Sequence, residues 1–298
     1  MINVLTVHWR SAEWIDPQLR YLERNIDEPY RVFAALHGVD RREWDRFHFA
    51  ADLEGDHPEK LNALAELAMA QSGPDDVLMF IDGDALPVRP LARWIAQTLE
   101  TYPLAAVRRD ENLGDPQPHP CFSITTCGFW REIQGDWRKG ATWTNSLGET
   151  VTDPGGNLLR ILEAHHVDWL PLLRTNTSDE HHPLWFAVYD HRVYHHGAGF
   201  RDRHSRLGTR LLGEVEPPSS PTLQGLARQV LHAPSMATDL RGADLRRAAA
   251  MTLAKQRYRR SARRRAREDR RSGSFEREVF ERLGSDPEFY RTFDATDL

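Results

Sequence analysis

The chain has 298 residues, 40% of them apolar, 9% aromatic and 28% charged, with a formal net charge of −5. That is too apolar and too aromatic for a wholly disordered chain, and long enough for one large domain or a domain with an extension. No apolar run approaches the roughly 20 residues that cross a bilayer, the start MINVLTVHWR lacks the basic and apolar regions of a secretory signal, and two cysteines cannot build a disulfide scaffold.

Ile2–Trp9 is apolar and β-rich and predicts the first strand. Asp16-Pro17 opens a helix-like segment with Leu19, Leu22 and Ile26 at helical spacing, and Asp16 stands where it can cap it. Residues 30–36 predict a second strand ending in the turn His37-Gly38-Val39-Asp40, and residues 47–53 a short third one. Pro58, at a tolerated first-turn position, opens a helix carrying Leu61, Leu64, Ala65 and Ala68, and Ser72-Gly73-Pro74 stops it. Val77–Ile81 is a continuously apolar strand of the kind buried on both faces, and residues 90–101 are helical again. This rhythm predicts an α/β fold, a mostly parallel sheet flanked by helices.

Further along, residues 104–108 and 122–126 read as strands. Cys121 and Cys127 on one straight strand would stand roughly 20 Å apart, too far to bond, so a reducing, cytoplasmic setting is expected. A helix with Leu158, Leu159 and Leu162 follows Asp153-Pro154-Gly155-Gly156, and residues 186–189 and 192–196 read as strands joined at Asp190-His191. The Pro- and Ser-rich stretch 213–225 marks a boundary between a domain at 1–212 and a linker with a basic helical extension at 213–298. In that extension Phe275, Val279 and Leu283 recur every four residues, and Ser285 to Glu288 resembles a capping box.

The segment Val77-Leu78-Met79-Phe80-Ile81-Asp82-Gly83-Asp84 is the most informative. Ligands of open α/β sheets bind beyond the carboxyl ends of the strands. Side chains two apart on an extended chain point the same way, so Asp82 and Asp84 address one site, with Gly83 leaving room for close approach. Two ionised carboxylates this close repel, and a hard divalent cation, Mn²⁺ or Mg²⁺, removes the cost and bridges to phosphates. The simpler alternative is a solvated Asp-Gly-Asp turn.

With its capped helix and acidic pair, residues 57–87, HPEKLNALAELAMAQSGPDDVLMFIDGDALP, resemble the core of the GT-A nucleotide-sugar glycosyltransferases. The resemblance covers about residues 1–212. It implies a GT-A-like Rossmann-related sheet, a divalent metal and a nucleotide-diphosphate sugar donor. It places Asp84 on the metal, Asp82 on the metal or ribose, and Gly83, Lys60 and Asn62 near the nucleotide. Val7, His8 and Asp40 would border base and ribose. For Lys60, a solvated helix charge is the alternative.

A second segment, Tyr194-His195-His196-Gly197-Ala198-Gly199-Phe200-Arg201, is similar to the late His-x-x-Gly of the glycogenin-like group, whose histidine is a third metal ligand. The spacing to Gly199 selects His196. His195 is the alternative, because adjacent strand residues face opposite sides. Arg201 would neutralise the leaving diphosphate; the Lys-Pro-Trp that follows in that group is missing. Asp153 reads either as a helix N-cap or, as in inverting members, as the base that accepts the acceptor's proton, ahead of Asp179 or Glu180. The polar stretch 175–185 reads as an acceptor-side loop. Trp130, Trp143 and Trp185 read as sugar platforms or as core.

The cations are 36 Arg and 3 Lys, unevenly spread: residues 239–271 carry 13 Arg or Lys against 4 Asp or Glu, a net of +9, which leaves about −14 elsewhere. Residues 240–271 form a solvated basic helix or dock on an anionic membrane surface, as would suit a lipid-linked acceptor among saccharide or other hydroxyl acceptors and a peripheral cytoplasmic location. A dedicated nucleic-acid role is not expected. Two other functions compete: a metal-dependent phosphoesterase or nucleotidyltransferase built on the same aspartates, and a non-catalytic polyanion-binding protein using the basic helix.

Overall fold

The structure is a computed structural model, and it describes residues 1–112, 114–145, 148–177, 185–197, 199–200, 275–286 and 288–289. It bears out the α/β prediction. The first half alternates β1 (Ile2–Trp9), α1 (Ile15–Asn25), β2 (Tyr30–His37), a 3-10 helix (Arg41–Arg46), β3 (Phe49–Ala51), α2 (His57–Met69), β4 (Val77–Ile81), β5 (Ala85–Pro87), α3 (Ala92–Leu99) and β6 (Leu104–Arg108). Then come β7 (Pro118–Thr126), α4 (Cys127–Glu132), β8 (Trp143–Thr144), β9 (Thr150–Val151), α5 (Gly156–Ala164), β10 (Leu170–Leu172), β11 (Ala187–Tyr189), β12 (Val193–His195) and α6 (Phe275–Ser285).

Seven strands form the main sheet in the order β10-β6-β7-β4-β1-β2-β3. Every neighbouring pair is parallel except those of β7, which runs against both β4 and β6. Alternation along the strands feeds two cores. Met79 and Ile81 of β4 face Leu22 of α1 and Ile95 of α3. Leu78 and Phe80 face Leu61 and Leu64 of α2, Trp130 of α4 and Leu158 of α5. Both faces of β4 are therefore covered, which explains its unbroken apolar run.

Element boundaries differ from the sequence reading for local reasons. α1 begins at Ile15 with Trp14 at its N-cap, so Asp16 lies in the first turn, where it pairs with Arg20 and Arg46 rather than capping. α2 begins at His57, and the Glu59 side chain accepts from the Asp56 backbone N–H at 2.8 Å. β7 starts at Pro118, four residues before the predicted strand. Asp190 (φ 48°) and His191 (φ 54°) both take left-handed backbone, as the tight turn between β11 and β12 demands. β12 then pairs with β5, making a small antiparallel sheet that sets His195 opposite Ala85.

Residues Met1–Phe200 and Glu281–Leu298 form one compact unit and Arg201–Phe280 a second. The predicted boundary near residue 212, the basic segment 240–271 and the acceptor-side residues 178–184 lie outside the described residues. The end of α6 is tied to α1, Arg20 Nη1 donating to the Gly284 carbonyl at 2.8 Å and Arg24 pairing with Glu288. Among the described residues no helix is long and apolar enough to cross a membrane.

Phe80 is fully buried between Trp130 and Trp137, with ring centroids 4.8 and 5.1 Å away. Phe80→Ala will cost about 3–5 kcal/mol in chemical denaturation. Glu66→Ala, on the exposed side of α2, will change stability by less than about 0.5 kcal/mol.

Candidate functional site

β4 delivers Asp82 and Asp84 to the carboxyl edge of the sheet, between β1 and β7. The loop between them is pinned from below by Gln18 of α1, which is fully buried. Its amide nitrogen donates to the carbonyls of Asp82 (2.8 Å) and Ala85 (3.2 Å). Its carbonyl accepts from the Thr6 hydroxyl and the His8 Nε2–H, both at 3.1 Å. That network assigns the His8 proton to Nε2 and leaves Nδ1 buried without a donor among the described residues. Burial lowers the His8 pKa to about 4, against the opposing pull of Gln18 and Asp84, so the ring is neutral.

Gly83 has a different reason from the one its sequence context implied. A Cβ there would come within 2.6 Å of the Val7 carbonyl, 2.8 Å of Phe200 and 2.9 Å of His8 Nδ1. The space is filled by the protein itself, so the glycine serves close packing of the loop on β1. Val7 and His8 act as that backing, and His8 is sealed in beneath Gly83.

The carboxylates are answered by histidines. His195 Nε2 lies 3.5 Å from Asp82 Oδ2 and 3.4 Å from Asp84 Oδ1, and one ligand atom from each of the three residues falls within 4.8 Å of the others. His57, in the first turn of α2, puts Nε2 3.0 Å from Asp82 Oδ1, a second ion-pair contact for that carboxylate. Gly199 donates its backbone N–H to Asp84 Oδ2 at 2.8 Å and approaches so closely that a Cβ would lie 2.7 Å from that of Asp84. Burial opposes charge on Asp82, but His57 and His195 hold its pKa well below the usual range. Asp84 is lowered too, against burial, chiefly by His195. At His195 burial again works against charge, but Cys121, Asp84 and Asp82 raise the pKa well above its ordinary value.

The structure brings His195, not His196, to the acidic pair. Alternation along β12 turns the His196 ring the other way, onto Trp14 (4.5 Å between centroids) and Phe186, with Nδ1 2.9 Å from the Tyr194 hydroxyl. Gly199, the glycine of the His-x-x-Gly segment, donates its N–H to Asp84. Arg201 lies outside the described residues. His57 went unnoticed in the sequence, although its place at the head of α2, just before Pro58, was legible.

Other expected residues have their own occupations. Asp40 caps the 3-10 helix through the Arg42 N–H and pairs with the Arg42 side chain, whose hydrogen bonds lower its pKa to about 2. Asn62 is a structural latch: it donates to Asp136 Oδ1 at 2.6 Å and accepts from the Trp137 N–H. Lys60 is buried, with no hydrogen bond or ion pair among the described residues, and shares a helix face with His57. Asp153 does not cap α5, whose N-cap is Gly155; its Oδ2 pairs with Arg109 Nη2 at 2.5 Å. Trp130 is core.

The donor set fits a divalent cation: two carboxylates and one imidazole. No protein-family model matches the chain, and no curated protein does. Among solved structures it is similar to S. aureus TarS (12% identity, TM-score 0.34, 46% of this chain and 30% of that one). It is also similar to a Desulfovibrio desulfuricans G20 protein described as a nucleotide-diphospho-sugar transferase (12%, TM-score 0.39, 58% and 79%). A third is the glycosyltransferase GlyE of Streptococcus pneumoniae TIGR4 (12%, TM-score 0.35, 55% and 39%). The chain thus spans less than half the length of TarS and GlyE, and likenesses this weak carry neither family nor function.

Two predictions follow from these contacts. Removing the cation from a buried pair leaves charge uncompensated, so His195→Ala will destabilise the metal-free protein by about 3 kcal/mol. Adding Asp84→Asn will recover part of that loss in a double-mutant cycle, and a coupling below about 0.5 kcal/mol would show the groups to be independent. Asp136 is held to a pKa of about 2, against burial, by Arg138, Asn62 and Asn157. A depressed pKa stabilises above the unfolded value near 4 and is lost as pH falls toward 2. Asp136→Asn will therefore flatten the acid arm of the stability curve between pH 4 and 2, measured by urea titration.

Proposed function

We propose that the chain is a metal-dependent glycosyltransferase that moves a sugar from a nucleotide-diphosphate donor to an acceptor hydroxyl. The observation that carries this reading is the cluster of Asp82, Asp84 and His195 at the carboxyl end of β4. It sits beside β1, where the sheet order reverses from β1-β2-β3 on one side to β4 on the other, the place where open α/β sheets receive nucleotides. The resemblance of residues 57–87 to the GT-A core supports the same reading.

Asp82, Asp84 and His195 would hold Mn²⁺ or Mg²⁺. When bound, the ion supplies positive charge to the departing nucleotide diphosphate. Lys60, buried and with no hydrogen bond or ion pair among the described residues, is a side chain available to a phosphate oxygen from the α2 side; Arg201, which the resemblance gives the same task, lies outside the described residues. Gly199 and Gln18 keep the carboxylates in place before substrate arrives, so that binding need not order them. Asp153 is assigned as the base: Arg109 grips one oxygen and fixes its orientation, while the other has no protein partner among the described residues. The acceptor is a saccharide, lipid-linked or otherwise, and residues 240–271 would attach the protein to an anionic membrane surface.

Sugar nucleotides screened by thermal shift with and without Mn²⁺ test the proposal. A hundredfold excess over Kd stabilises by about 2.7 kcal/mol, roughly 5–10 °C for a chain of this size. The shift will require metal, and Asp84→Asn will abolish it while leaving the unliganded melting temperature within a few degrees. Binding that ignores metal and survives Asp84→Asn would refute the site. Metal-dependent phosphate release from simple esters, without sugar-nucleotide binding, would favour a phosphoesterase.

A further inference from the structure

We propose that His119 positions the transferred sugar, donating a hydrogen bond from Nε2–H to a sugar hydroxyl, and that the site it shares with Arg109 takes uncharged sugars. This rests on the nucleotide-sugar reading above.

Because β7 alone runs against the sheet, its beginning lies at the carboxyl edge of its neighbours. There the Asp82 N–H donates to the Cys121 carbonyl at 3.0 Å. The pairing with β6 is interrupted: Ala106 faces Ser123 while Val107 faces His119, so three residues of β7 bulge out of the ladder. Bulges re-aim side chains at sheet edges. Here the bulge releases the Cys121 N–H, which donates to His119 Nδ1 at 3.1 Å. An Nδ1 that accepts carries no proton, so the neutral ring carries its proton on Nε2. Burial, followed by the nearby Arg109 charge, drives the pKa well below its ordinary value, which keeps the ring neutral.

His119 is nine-tenths buried, and its Nε2–H finds no acceptor among the described residues. Its charged surroundings are Arg109, Asp82, His195 and His57, two of them members of the proposed metal cluster. Arg109 adds a second orphan, a buried Nε–H without an acceptor. Neither donor has an acceptor among the described residues, and the Arg109 charge bears on the His119 ring, so an oxygen-bearing ligand at His119 would meet an unused N–H. The nucleotide belongs in the crevice between β1 and β4, with its diphosphate at Asp82 and Asp84. β7 lies beyond β4, on the side away from β1, where the group attached to the diphosphate must extend.

Charge selects which oxygen. The single guanidinium of Arg109 already faces two carboxylates, Asp115 at 3.3 Å and Asp153 at 2.5 Å. A ligand carboxylate would add to an excess of negative charge, whereas a hydroxyl would not. The loop bearing Asp153 is held against β7 by Gly155 (φ 96°), where a Cβ would clash with the Pro118 carbonyl. Asp153 is thereby kept at the same end of β7 as His119.

His119→Ala and His119→Gln, each with Mn²⁺, test the inference by calorimetry with UDP, GDP and their neutral and uronic-acid sugars. In His119→Ala, nucleoside diphosphate affinity will stay within twofold of wild type, while the preferred sugar nucleotide loses about tenfold. His119→Gln, which keeps an N–H near the same place, will regain most of it. In the wild type, uronic-acid donors will bind more weakly than their neutral counterparts. Nitrogen-15 NMR of the metal-free protein will show His119 protonated at Nε2 and bare at Nδ1. Equal losses for diphosphate and sugar nucleotide, a proton on Nδ1, or preference for the acidic sugar would overturn this inference alone. A wild-type protein that binds no sugar nucleotide would overturn the function proposed above and this inference with it.

Discussion

Asp82 and Asp84 set two carboxylates side by side at the end of a strand buried on both faces, and their repulsion is the constraint that the surrounding structure answers. Each answer comes from a different part of the chain. α2 contributes His57, β12 contributes His195, and the turn after β12 contributes the Gly199 N–H. α1 contributes Gln18, which holds the loop through its backbone carbonyls rather than its charges. Asp82 and Asp84 in turn raise the His195 pKa well above its ordinary value, against burial, so charge on that ring answers theirs. A site built this way holds its two carboxylates and His195 in place through contacts within the protein.

The antiparallel strand β7 is the second organising feature. Reversal brings its first residues to the carboxyl edge of its neighbours, and the bulge turns a backbone N–H from ladder bonding to the side chain of His119. Arg109, just after β6, and Asp153, before α5, are joined by an ion pair, and Gly155 lets the turn after Asp153 lie against Pro118 of β7. The acidic cluster follows β4 and this polar network adjoins the start of β7, the strand paired with β4.

Legibility followed the range of the interactions. β1, β4 and α2 were readable because burial on both faces writes a continuous apolar run and helix starts carry Pro and Glu at fixed offsets. The beginning of β7 was not: Pro118 and Pro120 flank His119 and break the strand pattern, and only the bulge reconciles them with a sheet. Asn62 looked like a ligand contact and proved to be a latch, because its partner Asp136 lies 74 residues away. His195 and His196 were a choice between two faces of one strand, decided by the pairing of β12 with β5.

The sequence by itself determined the α/β class, the strand that ends in two carboxylates and the glycines that follow β12, since each is written in local pattern and backbone preference. Tertiary structure decided which histidine meets the carboxylates, why residue 83 must be glycine, and that Asp153 is gripped by Arg109 rather than capping a helix. Those outcomes depend on contacts between segments tens to more than a hundred residues apart. Packing and electrostatics act across such distances only after the chain has closed, and no local spacing records them.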